Sequence, residues 1–503
     1  MDLYSLISQG LAISLQPYNL FLCFLGCLLG TLVGVLPGLG PTAAIALLLP
    51  ATFHLTPVSA IIMLAGIYYG AMYGGSTTSI LVNIPGEAAS VVTCLDGYQM
   101  ARQGRAGPAL GIAAFGSYIA GTFSIIGLML VAPPLARVAL AFGPPEYFSL
   151  MCLGLTILIY LASGSIVKAL MMAALGLIIG CIGSDTLTNA HRFTLGIPEL
   201  MDGVGLIPLV MGLFGVSEVL LNMEEQMKSE ILKTKIKNLL PNLQDWKRSA
   251  LPILRGSILG FFLGILPGGG AAISSFVSYA VEKKISRHPE RFGKGAIEGV
   301  AGPESANNSA VGGAFIPLFS LGIPSNPVMA ILLGALMIHG IIPGPHLVNQ
   351  NPDLFWGVIV SMYVGNVMLL ILNLPLIGLW VKLLKVPYII LFPLILLFCL
   401  IGAYTVSNKI VDIYIMIFFG VLGYLFRKYR YEAAPLILAF VLGPMLEDAL
   451  RQSLIMSEGD ARIFFSRPIS GVLMGGVVLL LGSSMFSTIR NKRKSLPLEE
   501  EFK

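Results

Sequence analysis

The sequence predicts an all-α, polytopic membrane protein made of two inverted structural repeats, each with a Pro-Gly-broken re-entrant helical hairpin, and about eleven crossings besides the two hairpins. Composition is the first reason. Of 503 residues 56% are hydrophobic and only 11% charged, against about 25% charged in ordinary soluble domains, and a mean hydropathy of +0.84 accompanies many apolar runs near the length of a bilayer-crossing helix. The second reason is an internal echo. Gly34-Val-Leu-Pro-Gly-Leu-Gly40-Pro-Thr42 returns 230 positions later as Gly264-Ile-Leu-Pro-Gly-Gly-Gly270-Ala-Ala272. Gly26, Gly30 and Gly34 align with Gly256, Gly260 and Gly264, and Pro37, Gly38 and Gly40 with Pro267, Gly268 and Gly270, at one offset. The third is charge placement. The net charge of +5 sits in short basic clusters between apolar spans, as in cytoplasmic loops, and gives no nucleic-acid signal.

Along the chain, residues 17–36 form an apolar helix, stopped at Pro37 to Pro41 and followed by a piece from Thr42 to about Leu49 that is too short to span. The run 58–84 is expected to be interrupted at Tyr73 to Ser79 and to end at Asn83-Ile-Pro-Gly86; residues 87–107, with Glu87, Asp96, Arg102 and Arg105, then form the first cytoplasmic loop. Spans follow at 108–131, 147–163, 165–183 and 198–221. The polar stretch 222–250 links the halves. The second half has arms at 251–266 and 271–281 around the Pro267 to Gly270 break, a basic loop from Lys283 to Lys294, and spans at 300–325, 353–381, 388–406, 410–426, 433–450 and 469–488.

Both flanks of the second broken helix are basic, which places its two ends on one side as a hairpin. The first copy has no basic flank, since no Lys or Arg precedes Arg102, so its ends fall outside. Five spans between the hairpins turn one over relative to the other. The expected units are therefore a first repeat over 1–221, a cytoplasmic linker over 222–250, a second repeat over 251–450, and a last span with a basic tail over 451–503. The N-terminus is expected to lie outside and to be retained, for want of a basic leader region, and the C-terminus to be cytoplasmic.

A helix broken inside hydrocarbon leaves N–H and C=O groups unpaired, so such a break must be buried in protein or line a wet cavity. Residues just after it offer free N–H groups and the positive end of a helix dipole, about 0.3–2 kcal/mol per nearby anionic group. Gly38, Gly40, Gly268 and Gly270 permit φ > 0 and close approach, and Thr42, Ser274 and Ser275 add hydroxyls. The candidate substrate-binding residues are Pro37, Gly38, Gly40, Thr42, Ser76, Thr77, Pro267, Gly268, Gly270 and Ser274. The plainer alternative is a kinked, packed helix. The two glycine ladders are read as helix-packing seams.

A second pair of stretches matches with a one-residue slip: Gly74-Gly75 and Pro85-Gly86 against Gly312-Gly313 and Pro324-Ser325. Their crowded hydroxyls, amides and any carbonyls freed by unwinding are hard oxygen ligands suited to Na⁺; interhelical hydrogen bonding is the alternative. The candidate cation-coupling residues are Thr78, Asn83, Glu304, Asn307, Asn308 and Ser325. Glu304 is either a coupling carboxylate at membrane depth or a helix cap at the cytoplasmic end of its span. Asp185, Glu218 and Asp412 are read as interfacial. No His-Glu-x-x-His, Walker loop or Gly-x-Ser-x-Gly elbow occurs, so no enzyme, no ATP chemistry and no cofactor beyond Na⁺ as a coupling ion is expected. The six cysteines and five histidines show no metal-ligand or disulfide spacing.

Gly34 to Pro41, Tyr73 to Ser79 with Asn83 to Gly86, Leu266 to Gly270, Gly302-Pro-Glu-Ser-Ala-Asn-Asn308 and Gly322-Ile-Pro324 together resemble the large integral-membrane subunit of tripartite tricarboxylate transporters, the TctA-type family. The resemblance covers nearly the whole chain. It implies a bacterial inner-membrane permease that imports di- or tricarboxylates by Na⁺- or H⁺-driven alternating access. It implies as partners a small four-helix membrane subunit and a periplasmic solute-binding protein. A second copy of the chain is a further option. A passive channel for small organic anions and an intramembrane enzyme remain the alternatives.

Overall fold

In the computed structural model of the chain, the described residues are 3–36, 40–162, 165–185, 188–224, 238–384 and 388–495. Apart from one two-residue antiparallel pair, Gly183–Ser184 with His191–Arg192, their regular structure is helical. The first half holds α1 (Leu3–Ser14), α2 (Pro17–Val35), α3 (Pro41–Leu48), α4 (Pro57–Val82), α5 (Val91–Arg102), α6 (Ala106–Ala139), α7 (Pro144–Leu161) and α8 (Ile166–Gly180), then α9 (Leu206–Glu224). The second holds α10 (Leu243–Ile265), α11 (Gly270–Ile285), α12 (Glu298–Leu321), α13 (Pro327–Ile338), α14 (Pro352–Asn373), α15 (Tyr388–Ser407), α16 (Ile410–Lys428), α17 (Ala433–Met456) and α18 (Pro468–Ser495). Proline opens α2, α3, α4, α7, α13 and α14, where its missing N–H would be unpaired anyway and its fixed φ suits the first turn.

Among the described residues, nine helices are long and apolar enough to cross a membrane: α2, α4, α6, α7, α9, α10, α14, α16 and α17. The expected spans at 165–183, 300–325, 388–406 and 469–488 are also helices, α8, α12, α15 and α18. Three expectations are corrected. Helix α4 runs unbroken through Tyr73 to Ser79, because Gly74 and Gly75 serve close packing and do not open the backbone. Helix α10 begins at Leu243, capped by Asn242 and Asp245, so the last residues assigned to the linker are its first turns. Helix α1, absent from the sequence reading, packs on α14.

Two seams organise the interior. A Cβ added at Gly26, Gly30 or Gly34 would strike the backbone carbonyls of Met63, Ile67 and Ala71 in turn, and one added at Gly256, Gly260 or Gly264 those of Gly302, Ala306 and Ala310. The partners are separated by 239 positions in every case (63 and 302, 67 and 306, 71 and 310). Only glycine lets two helices approach at three successive turns like this. The same frame removes the slip. Gly74 meets the backbone at Thr31 and Gly34, and Gly313 meets it at Phe261 and Gly264, so Gly74, and not Gly75, corresponds to Gly313. Pro85 and Pro324 then fall at one offset. The caps agree, since Asn83 and Gly322 both end their helices in the left-handed region, at φ 61° and 71°. Outside these seams, α7 and α8 pack on α17, and α15 and α16 pack on α9.

Candidate functional site

Helix α2 ends at Val35, and α3 starts from an extended Gly40 with φ −72° and ψ 171°. Pro37 and Gly38 lie outside the described residues. At the second break Gly268 and Gly270 take φ 79° and 46°, the conformations that favour glycine; Gly40 does not need that freedom. Gly268 N–H donates to Ser325 O at 2.8 Å, tying the second turn to the loop that opens α13. Pro267 and Gly268 lie against Gly154 and Leu158 of α7.

Both breaks reach one cavity of about 630 Å³, walled by Gly40 to Ala43, by Gly268 to Ile273, and by the loops Pro85 to Ala88 and Asn326 to Val328. A Cβ at Gly40 or at Gly270 would meet nothing within 4 Å, so the two helix starts face open space. The first-turn N–H groups of α3 and α11 are the unpaired ends of their helices. The rest of the wall includes Tyr68, Met72, Leu158, Phe214, Glu218, Arg427, Tyr431 and Glu432. Arg427 is ion-paired with Glu218.

Other candidates sit elsewhere. Ser274 is buried, and its hydroxyl donates to Gly270 O at 2.7 Å inside its own helix. Thr77 lines a separate crevice of about 10 Å³ with Ser76, Tyr73 and Ser117. Thr78 donates to Val35 O at 2.6 Å, which satisfies a carbonyl freed by the end of α2. Asn83 is exposed and acts as a left-handed cap. Ser325 Oγ is buried and has no partner among the described residues.

Glu304 is fully buried on α12, which sets aside the view of it as a cap at a wet helix end. Its carboxylate accepts from Ser76 Oγ at 2.6 Å, from Thr93 Oγ1, and from Asn307 Nδ2 at 3.2 Å. Asn308 continues the layer by donating to Ser117 Oγ at 2.7 Å. Glu304 is thus supplied by three neutral donors from α4, α5 and α12.

Sequence reasoning missed several groups. Glu87, assigned to a cytoplasmic loop, is 7% exposed and walls the cavity. Its Oε2 accepts from Ala89 N at 2.6 Å. The signal was present: Ile84-Pro-Gly-Glu87 matches Ile323-Pro-Ser-Asn326 at the 239 offset, and Asn326 likewise caps its helix by accepting from Met329 N at 3.0 Å. Asp96, given to the same loop, is wholly buried; its Oδ1 accepts from the N–H groups of Gly293, Gly295 and Ala296 at 2.8–2.9 Å, and its Oδ2 from Tyr279 Oη at 2.9 Å. Asp185, Glu218 and Asp412, read as interfacial, are each buried, Asp185 against Arg192 and Arg451.

A second cavity of about 480 Å³ is walled by Glu199, Asp202, Gly205, Lys409, Asp412 and Pro444, among others. Helix α9 touches this cavity at Leu206 to Pro208 and the first at Phe214 and Glu218, and α17 touches them at Phe440 to Pro444 and at Ala433–Ala434. Between the two lie Leu209, Val210, Met211 and Leu213, all fully buried, in a stretch where α9 widens into a π-helical turn over Met211–Val216. Such turns disrupt the regular ladder and concentrate at functional places.

These features define a multi-pass, all-α membrane protein with a cavity bounded by two broken helices. The chain belongs to the tripartite tricarboxylate transporter TctA family, whose model matches residues 20–438. The family supplies membrane transporter components and not enzymes, and it works in a tripartite system with other membrane and periplasmic binding subunits. Over 501 residues, all of both chains, it is 52% identical to an uncharacterized 52.8 kDa protein in the TAR-I ttuC' 3' region of Agrobacterium vitis. It is 51% identical over 242 residues, 48% of this chain and all of the relative, to an uncharacterized protein in the TAR-II ttuC' 3' region of the same organism. No solved structure matches it.

Proposed function

We propose that this chain is the permease subunit that imports di- or tricarboxylates, citrate-like in charge, delivered by a periplasmic solute-binding protein and driven by a Na⁺ or H⁺ gradient. The observation that carries the reading is the meeting of both helix starts, at Gly40 and Gly270, on one cavity of about 630 Å³. Backbone N–H groups and two helix dipoles there offer an anion partial positive charge without a free arginine. In this reading the halves 1–221 and 251–450 are inverted repeats joined by the 222–250 linker. The protein sits in the inner membrane with its N-terminus periplasmic and its C-terminus cytoplasmic, beside a small four-helix subunit. The two cavities, separated along α9 by Leu209 to Leu213, are the inner and outer vestibules of alternating access.

The test is uptake of radiolabelled citrate and of a panel of smaller di- and tricarboxylates by vesicles holding the chain, its small subunit and its binding protein. Uptake that exceeds equilibrium only when a Na⁺ or H⁺ gradient is imposed supports the reading. Flux that ignores both gradients makes the protein a channel, and no flux of any carboxylate removes the proposal.

A further inference from the structure

We infer that Glu87 is the proton carrier of this permease, its carboxyl neutral whenever a di- or tricarboxylate occupies the cavity between the two helix breaks. The inference rests on reading that cavity as the anion site.

The wall carries three carboxyl groups, Glu87, Glu218 and Glu432, against one guanidinium, Arg427. An ionised Glu87 adds a negative charge to this wall, which repels the solute that the helix starts attract. Some of that charge must be cancelled before a dianion or trianion can enter. Glu218 is already held by Arg427. Glu87 differs, because its Oε1 is out of water with neither donor nor cation among the described residues. An ionised oxygen is poorly tolerated in that position and a protonated one is not.

The equivalent place in the other half shows that capping does not require an acid. Asn326 stands 239 positions on from Glu87, caps its helix with a neutral amide, and uses Nδ2 to reach Tyr68 Oη at 3.3 Å. Asparagine is also the better cap by intrinsic preference. An acid at position 87 therefore adds titratable chemistry to a job its counterpart does without it.

The elements packed against the turn after Glu87 carry these titratable groups: Tyr68 and Tyr73 on α4, Cys94 and Asp96 on α5, Tyr279 and Glu282 on α11, and Glu304 on α12, with Tyr431, Glu432 and the Glu218–Arg427 pair on the cavity wall. Asp96 is saturated by three backbone N–H groups and Tyr279, Glu282 is paired with Arg255, and Glu304 has its three neutral donors. In the cycle, a proton taken from the side where the anion enters binds a Glu87 oxygen, crosses with the anion, and leaves to the cytoplasmic side after it.

The experiment titrates the purified full-length chain with citrate by calorimetry between about pH 7.5 and 9.5, where carboxylates in water are ionised throughout. The wild type is expected to lose affinity with rising pH, approaching about tenfold per pH unit on the alkaline arm. Glu87→Gln keeps a carbonyl for Ala89 N–H, as Asn326 does for Met329, so it should fold and bind citrate with no slope. Glu87→Asp should keep the slope. A wild-type slope in Glu87→Gln, or wild-type affinity that follows Na⁺ and not pH, overturns the proton assignment and leaves the anion site standing. Absence of binding by the wild type to citrate and to the whole carboxylate panel removes the anion site, and this inference with it.

Discussion

Ser76 and Glu304 lie 228 residues apart in sequence and share a buried hydrogen bond of 2.6 Å that fastens α4 to α12, one helix from each half. With Thr93 and Asn307 donating to the same carboxylate, Glu304 is the knot of a polar layer. Glu304→Ala should lower stability by about 2–4 kcal/mol, since three buried donors lose their acceptor. Glu304→Gln should lose less. Thermal unfolding of the detergent-solubilised variants measures both, and equal melting of wild type and Glu304→Ala would refute the structural role.

The glycine seams give a graded expectation. Gly30→Ala and Gly260→Ala each push a methyl into the backbone of the opposing helix, at Ile67 and Ala306, and should cost about 1–3 kcal/mol. Gly30→Leu and Gly260→Leu should not assemble. Gly482→Leu on α18, with nothing within 4 Å, should express normally, and fluorescence-detected size exclusion separates the three outcomes.

Gly40 separates occlusion of the cavity from misfolding. Its extended backbone accepts a β-branched residue, and the space beyond it is open. Gly40→Val should melt like the wild type and weaken anion binding by about tenfold or more, roughly 1.4 kcal/mol. Gly268→Val is less informative, because φ 79° and the nearby Leu158 Cα oppose any side chain there. Full transport by Gly40→Val would take the first helix start out of the site.

Asp96 holds the turn after α11 by three backbone N–H groups and one phenol. Asp96→Ala strands those donors and should cost about 2–4 kcal/mol. Faster limited proteolysis between Ser286 and Ile297 is the expected sign, and an unchanged cleavage rate would contradict the assignment.

The helix breaks were legible in the sequence because proline and glycine in the middle of apolar runs have few other uses, and the span positions because hydropathy reports them directly. The continuity of α4 was not. Gly74 and Gly75 look like a local interruption, and only their neighbours, the backbone at Thr31 and Gly34 for Gly74 and the Glu87 side chain for Gly75, show that they serve contact. Hydroxyls misled for a similar reason: Ser274 can satisfy itself on Gly270 O within its own helix, which sequence cannot distinguish from a hydroxyl offered to a ligand. Glu87 and Asp96 were hidden by their neighbours, since acids near Arg102 and Arg105 resemble a wet loop until their burial is seen.

The two glycine seams also limit how the molecule can move. Where backbone touches backbone at three consecutive turns, neither helix can slide or roll without collision, so α2 travels with α4 and α10 travels with α12 as welded girders. The widened turn of α9 is held to α16 in the same manner, Gly212 against Met416 O and Gly423 against Leu213 O, so that pair too moves as one body.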